Sequence, residues 1–360
     1  MLDCDMYCND STSARQAMCF HLDHKLSPKL AFVQFPQRFY NISVNDIYDG
    51  AMRFIWTKWK GFNGIRGPIL SGSGLYIKRE ALYGTHKFEQ VYYEPSRPCF
   101  LGATPINLGE VLVQNTRWFM GLSQVALSKF SPLVYGSLRM SILQSMIYAE
   151  LAYYAIYFLP VYILAIVLPL CLLRDIPLYP EVSSPFFLVF PFLFLSSQLK
   201  NMHELLILGH SIKTWSNEQR MWMIKSLTCY FFAALNTSME KIGLIKASFV
   251  PTNKVMDDEG AKLYQMGKYN FQAPTPFMVP LCTLYILNLA SFVIGLGRIL
   301  QNGKTNEMLM QSFVPLFGIL LNFPLLEGMV LRKDKGRVST SVSLISAVIS
   351  SIVLAYAAIC

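Results

Sequence analysis

The sequence predicts an α/β portion followed by a membrane α-helical portion, divided near residue 142. Three observations carry that expectation. Long uncharged runs are confined to residues 143–360, whereas residues 1–142 are mixed and polar, with short strand-like runs broken by glycine and proline. The composition, 53% hydrophobic and 15% charged, is too apolar for one soluble domain and too polar for a bare helical bundle. The net charge of +9 includes many cations beside apolar runs, the pattern of loop bias and headgroup affinity in membrane proteins. A nucleic-acid partner is not expected, because that requires a basic soluble surface.

The first portion opens with Asp3-Cys4-Asp5, two carboxylates on alternate positions at a strand end. Lys29–Phe35 reads as a strand stopped by Pro36, and Gly61–Gly74 as a glycine-dense loop around Pro68. Val91-Tyr92-Tyr93 is a short strand before Pro95. Gln114-Asn115-Thr116-Arg117-Trp118 follows, and after it Phe119–Phe130 reads as a helix lying on the membrane surface. Cys4, Cys8, Cys19, Cys99, Cys171, Cys229, Cys282 and Cys360 form no C-x-x-C pair, so buried reduced thiols are expected rather than a zinc site. No leader is expected, since the chain opens on Met1-Leu2-Asp3 and the first long apolar run starts near residue 145.

In the second portion, Leu151–Leu173 is 23 residues without a charge, enough to cross about 30 Å of hydrocarbon, with Pro160 and Pro169 as bends. Further spans are expected at about 182–202 (Lys200 snorkelling at its end), 277–297, 308–326 and 342–360, the last rich in serine. The connection from Lys200 to Pro276 holds nine Lys/Arg, and the one after the fourth span holds Arg332, Lys333, Lys335 and Arg337. The other two hold Arg174, and then Arg298 and Lys304. The basic connections should face the cytosol, which places the first portion there as well. Within the long connection, residues 216–235 read as an interfacial amphipathic helix, with Ser216 and Gln219 as its capping box and Lys225 inside its apolar run. His203 and Glu204 read as interfacial, and Asn322 either lines a path through the spans or bonds a neighbouring helix.

Two strings carry chemistry. A D-x-D offers two hard oxygens, as Mg²⁺ or Mn²⁺ prefers when it bridges a diphosphate. A Q-x-x-R-W offers an amide, a fixed cation and an indole, suited to gripping a phosphate and stacking on a sugar. Taken singly each has a blander reading: a surface carboxylate pair, Arg117 as a headgroup anchor, Trp118 as interfacial packing. Together, ahead of membrane spans, Asp3, Asp5, Gln114, Arg117 and Trp118 imply a sugar-nucleotide glycosyltransferase working at a bilayer surface.

The strings resemble those of the plant cellulose synthase superfamily, and within it the cellulose synthase-like G branch. Asp3-Cys4-Asp5 with Phe32-Val33-Gln34-Phe35-Pro36-Gln37-Arg38-Phe39 carries the likeness, as do Gly67-Pro68 with Ser71-Gly72-Ser73-Gly74, and Glu94-Pro95-Ser96-Arg97-Pro98. Trp215-Ser216-Asn217-Glu218-Gln219-Arg220-Met221-Trp222 is similar to the family's membrane-surface helix. Phe249-Val250-Pro251-Thr252-Asn253-Lys254 is similar to its gating loop, with proline where valine is usual. The resemblance implies a GT-A-type domain joined to a five-helix transmembrane bundle. It also implies Asp3 and Asp5 at a Mg²⁺ or Mn²⁺ ion on the UDP diphosphate. Gln114, Arg117 and Trp118 would bind the acceptor end and the diphosphate, and Phe249, Thr252 and Lys254 would close over the nucleotide.

Two departures from the family accompany the likeness. The uridine-binding half that precedes the D-x-D in the family is not in this sequence. Between Glu80 and Val91 roughly fifty residues of the family pattern are missing, with the T-E-D string whose aspartate acts as general base. Such a base is often worth about 10²–10⁴ in rate, and Glu89 is the weak substitute at hand. The sequence therefore reads as a truncated or alternatively spliced product, or a misjoined gene, with impaired catalysis. The implied function is inverting transfer from a UDP-sugar to a β-glycan of the plant cell wall in the Golgi membrane. One alternative is single transfer of glucuronic acid to triterpenoid aglycones at the endoplasmic reticulum. Another is a non-catalytic membrane protein associating with related synthases.

Overall fold

The structure is a computed structural model that describes residues 1–65, 67–84, 89–246, 251–252 and 258–359. It is mostly helical, with two small three-stranded sheets, and it separates into two compact units. The first comprises residues 1–44, 49–105 and 122–153; the second comprises 45–48, 106–121 and 154–360.

In the first unit, strand β1 (Met6–Cys8) leads to α1 (Ser13–Leu22). Asp10 Oδ1 accepts from the Thr12 amide at 2.9 Å, satisfying a donor at the start of this helix. Strand β2 (Leu30–Gln34) is buried along its whole length, as a central strand of Leu, Ala, Phe and Val should be. It is followed by β3 (Arg38–Phe39), α2 (Arg53–Phe62), β4 (Leu75–Ile77), the short α3 (Arg79–Leu82), β5 (Glu89–Tyr92) and β6 (Phe100–Gly102). One sheet runs β4-β2-β5, with β2 antiparallel to β4 and parallel to β5; the other runs β1-β6-β3. Phe35 packs edge-on against Tyr76, Tyr93 and Phe100, with centroids 6.0, 5.7 and 5.5 Å away. A second apolar cluster joins Trp56, Trp59 and Phe62 to Tyr92 and to Leu151 of α5 (Ile142–Ala152). Asn63 fastens the strand to the helix, its amide giving and taking bonds of 2.6 and 2.7 Å with the Tyr92 backbone. The glycine-dense loop is half helical, because Gly61 lies in α2; the turn chemistry is concentrated at Gly67, Gly72 and Gly74, with φ of +111°, +89° and +70°.

The unit boundary falls inside α4 (Leu108–Ala126), after Gly121. Gln114-Asn115-Thr116-Arg117-Trp118 therefore lies in mid-helix, and the helix expected at Phe119–Phe130 is its continuation. The correction has a local cause: Asn107 Oδ1 accepts from the Glu110 amide at 2.9 Å and caps the helix there.

The rest of the second unit is helical. Among the described residues, three helical stretches are long and apolar enough to cross a membrane: Tyr154–Leu173, which holds α6 (Phe158–Leu173), then Thr275–Asn302 and Thr340–Ile359. A fourth forms if Thr305–Leu321 and Phe323–Leu331, bent by 59°, count as one span. The span expected at 182–202 is helix α7 (Val189–Ile207), whose second half holds Gln198, Lys200, Asn201, His203 and Glu204 and falls short of that standard. The long connection holds α8 (Ile212–Lys225), a π-helical turn at Ser226–Tyr230 and α9 (Phe231–Lys241), an unbroken helical run. It starts earlier than the expected capping box, because Ser211 Oγ accepts from the Thr214 amide at 3.2 Å; Ser216 and Gln219 lie inside the helix. After α10 (Asp258–Gln265) come α11 (Thr275–Asn302), α12 (Thr305–Leu321), α13 (Phe323–Leu326) with a π turn at Glu327–Leu331, and α14 (Thr340–Ile359).

Helix α11 is the hub, packed against α6, α12 and α14. Proline at its start and Gly303 (φ +68°) past its end mark its limits. A Cβ on Gly295 would stand 2.7 Å from Leu172 Cγ and 2.9 Å from Leu172 O, so only glycine lets α6 approach. The serines of α14 face α11: Ser346 Oγ and Ser350 Oγ donate to the carbonyls of Val279 and Thr283 at 3.2 and 2.9 Å. Of the cysteines, Cys99, Cys229 and Cys282 are buried, whereas Cys4, Cys8 and Cys19 are exposed, against expectation; Cys360 lies outside the described residues.

Candidate active site

Asp3 and Asp5 flank Cys4 in a turn immediately ahead of β1, closed by the Met6 amide donating to Asp3 O at 3.1 Å. The turn rests on the Ser71-Gly72-Ser73-Gly74 loop: the Asp3 amide donates to Ser73 Oγ at 3.0 Å. Ser73 is buried, and the loop around it is held from β2. Gln34 Nε2 donates to the carbonyls of Phe35 and Ser73, both at 2.8 Å, while its Oε1 accepts from the Ser71 amide at 3.3 Å. Gln37 Nε2 adds a bond to Ser71 O at 3.1 Å. Three of the quoted strings are thus one physical object: a buried amide clamps a glycine loop, and the loop presents two exposed carboxylates. Gln34, Gln37 and Ser73 are positioning residues that spacing alone does not single out.

A fourth string joins the same unit. Glu94 accepts from Arg38 and from Lys60, the latter at 2.6 Å. Burial alone would raise its pKa, but the two cations outweigh burial and hold the carboxyl below the ordinary carboxylate value. Arg97 Nη2 reaches Asn9 O at 2.9 Å and Asn9 Nδ2 reaches Pro98 O at 2.8 Å, tying this loop to the residues after β1.

The amide, cation and indole belong to the second unit. On α4, Leu108 and Leu112 are fully buried, and Phe119 stacks on Tyr154 (5.5 Å) and meets Tyr230 edge-on (4.4 Å). Spacing of three and four residues sets Gln114, Arg117 and Trp118 along one stripe. Gln114 is buried, Arg117 half-buried and Trp118 exposed, so the stripe runs from packed to open. Glu89 opens β5, its amide bonded to Lys29 O at 2.5 Å. Thr252 lies in coil; Phe249 and Lys254 lie outside the described residues.

Among the described residues no three His, Cys, Asp or Glu side chains converge as a ready metal cage. Two exposed carboxylates fit a Mg²⁺-type ion instead, which takes one or two protein oxygens and completes its octahedron with phosphate and water.

The sequence matches the cellulose synthase family over residues 1–90 and 85–359. The chain belongs to the cellulose synthase family. It is 38% identical to a quillaic acid 3-O-glycosyltransferase of Saponaria officinalis, over 94% of this chain and 60% of that protein. It is 30% identical to cellulose synthase-like protein E2 of Oryza sativa subsp. japonica, over 96% of the chain and 55% of the relative. A cellulose synthase A catalytic subunit 9 [UDP-forming] of Oryza sativa subsp. indica is 24% identical over 98% of the chain and 45% of the relative. The chain thus spans about half to three-fifths of the length of these relatives. The alignment with the first runs over 424 positions, more than the 360 residues present, so that relative carries segments this chain lacks. The family match itself is in two pieces that meet at residues 85–90, where the sequence shows its internal shortfall.

Proposed function

We propose that this cellulose synthase-like chain carries the acceptor side and membrane domain of an inverting glycosyltransferase, of GT-A type, that uses a UDP-sugar. The observation that carries the reading is the Asp3–Asp5 turn seated on the Gln34-clamped loop, in a chain that matches the family along its length. Asp3 and Asp5 would hold a Mg²⁺ or Mn²⁺ ion, which when bound offsets the charge growing on the departing diphosphate. Arg117 and Gln114 grip phosphate and sugar oxygens, and Trp118 gives the sugar an apolar face. The acceptor hydroxyl oxygen bonds to the anomeric carbon with inversion, the bond to the diphosphate oxygen breaks so that UDP leaves with the electron pair, and the hydroxyl proton passes to water or to Glu89, the substitute base.

The favoured acceptor is a lipophilic alcohol arriving from the bilayer, supported by the 38% identical relative named for quillaic acid and by Phe119 of α4 stacked on Tyr154, at the start of the apolar Tyr154–Leu173 stretch. A β-glycan acceptor is the second reading, supported by the cellulose synthase A relatives at 24% identity. A site at the cytosolic face is supported by the surplus of Lys and Arg in the connections at 200–276 and 332–337.

The test uses membranes bearing the chain, and membranes bearing a chimera in which the chain replaces the matching part of the Saponaria officinalis relative. Labelled UDP-glucuronic acid or UDP-glucose is supplied with a triterpenoid acceptor. Product soluble in organic solvent supports single transfer, and ethanol-insoluble product supports the glycan. Arg117→Ala or Asp5→Asn should lower transfer by about 10²–10³-fold. Absence of both products from both membranes overturns the proposal.

A further inference from the structure

The second unit holds a charged cavity of about 390 Å³ that the transfer chemistry does not use. One wall is a face of α8, presenting Lys213, Asn217 and Arg220 at helical spacing; the opposite wall is the bent end of α12–α13, with Pro324 and Glu327. Lys268 and Arg332 close it. Four cations thus face two carboxylates, Glu327 and Asp334, and Asp334 is already taken by Arg332 through bonds of 3.1 and 2.7 Å.

The two arginines are held in place before any ligand arrives, Arg332 by Asp334 and by the Tyr269 carbonyl. Arg220 donates to Leu321 O at the broken helix end, to Asn217 Oδ1 (2.8 Å) and to the Tyr269 hydroxyl (3.2 Å), with its guanidinium 5.4 Å from the Tyr269 ring centroid. Lys213 is steered by Asn45 Oδ1 at 2.8 Å. Lys268 is exposed and has no side-chain partner among the described residues. A net positive cavity with fixed guanidinium groups and reachable lysines accepts a phosphate ester.

The source of the phosphate follows from depth. Helix α12 has 17 residues and so covers about 25 Å, close to the hydrocarbon thickness. The 59° bend after it then falls at headgroup level. Phe323, Val330 and Leu331 are exposed around the bend, apolar surface suited to acyl chains. The cavity also opens on the connections that carry the surplus of Lys and Arg, the side where anionic lipids gather.

We propose that this cavity binds the phosphate headgroup of an anionic phospholipid, with Lys213 and Lys268 as its mobile contacts and Arg220 as its fixed floor. The proposal rests on the membrane reading above, not on the transfer reaction.

The test is equilibrium binding of dioctanoyl phosphatidic acid to the detergent-purified chain, with dioctanoyl phosphatidylcholine and inorganic phosphate as the other arms. Binding of phosphatidic acid should weaken about five-fold in Lys268→Gln and about twenty-five-fold in Lys213→Gln/Lys268→Gln, at about 1 kcal/mol per lysine. Lys333→Gln, which removes a nearby charge that does not line the cavity, should leave it unchanged. Equal loss in Lys333→Gln, no loss in the double variant, or equal binding of inorganic phosphate overturns the headgroup site. Alkaline carbonate extraction separates the two readings: release of the chain from membranes overturns membrane insertion itself, while retention with unaltered lipid binding overturns only this proposal.

Discussion

Glu94 sits between Arg38 and Lys60, which hold its carboxyl below the ordinary glutamate range. A depressed folded-state pKa contributes stability that is complete above the unfolded value and disappears as pH falls through the folded one. The unfolding midpoint of the first unit should therefore drop as pH falls below about 4.5, and Glu94→Gln should flatten that drop. An unchanged acid limb in the variant would refute the assignment. Gln34 makes a different case. Its amide is wholly buried and bonded to both ends of the glycine loop, so Gln34→Ala should cost about 1–3 kcal/mol by chemical denaturation, through unpaired loop groups. Both residues were legible as letters within recognisable strings. Their work was not, because it depends on partners 37 and 56 positions away.

At the scale of elements, periodicity located the helices better than their ends. The helix expected from residue 216 starts at Ile212, because a serine after the left-handed Gly209 supplies the cap. Ser211→Ala should cost about 1 kcal/mol, read as a lower unfolding midpoint. The serine-rich last helix looked weakly hydrophobic in isolation; the hydroxyls of Ser346 and Ser350 are spent on the carbonyls of α11, a fact about a neighbour that no window of residues contains. Gly295 leaves no room for a side chain against Leu172 of α6. Gly295→Val should push these helices apart and lower the thermal midpoint, by about 1–3 kcal/mol of overpacking. A midpoint equal to the parent's would show that the helices do not meet there.

At the scale of the molecule, the division into a mixed first part and a helical second part was legible, but two stretches of the first part, residues 45–48 and 106–121, fall in the second unit. Asn45–Tyr48 belongs to the second unit. Tyr48 stacks on Tyr264 at 5.8 Å, meets Tyr269 edge-on at 5.4 Å and accepts from the Asn270 amide at 2.7 Å. Ile47 O accepts from the Tyr269 hydroxyl at 2.8 Å. Asp46 and Asp49, with φ of +26° and +55°, turn the chain on either side. Nothing in Asn45-Asp46-Ile47-Tyr48 announces this, because its partners lie some 220 residues downstream. Tyr48→Ala should destabilise the second unit by about 3–5 kcal/mol, and Tyr48→Phe by about 1–3. The order of synthesis gives this clip a temporal meaning. Tyr48 leaves the ribosome long before Tyr264 and Tyr269 exist, so its hydrophobic face must wait, uncovered, while the first long apolar helices are made. The finished helical unit is thereby latched by an early piece of the chain, and a protease cutting between residues 49 and 105 would leave two fragments that stay together without a covalent link.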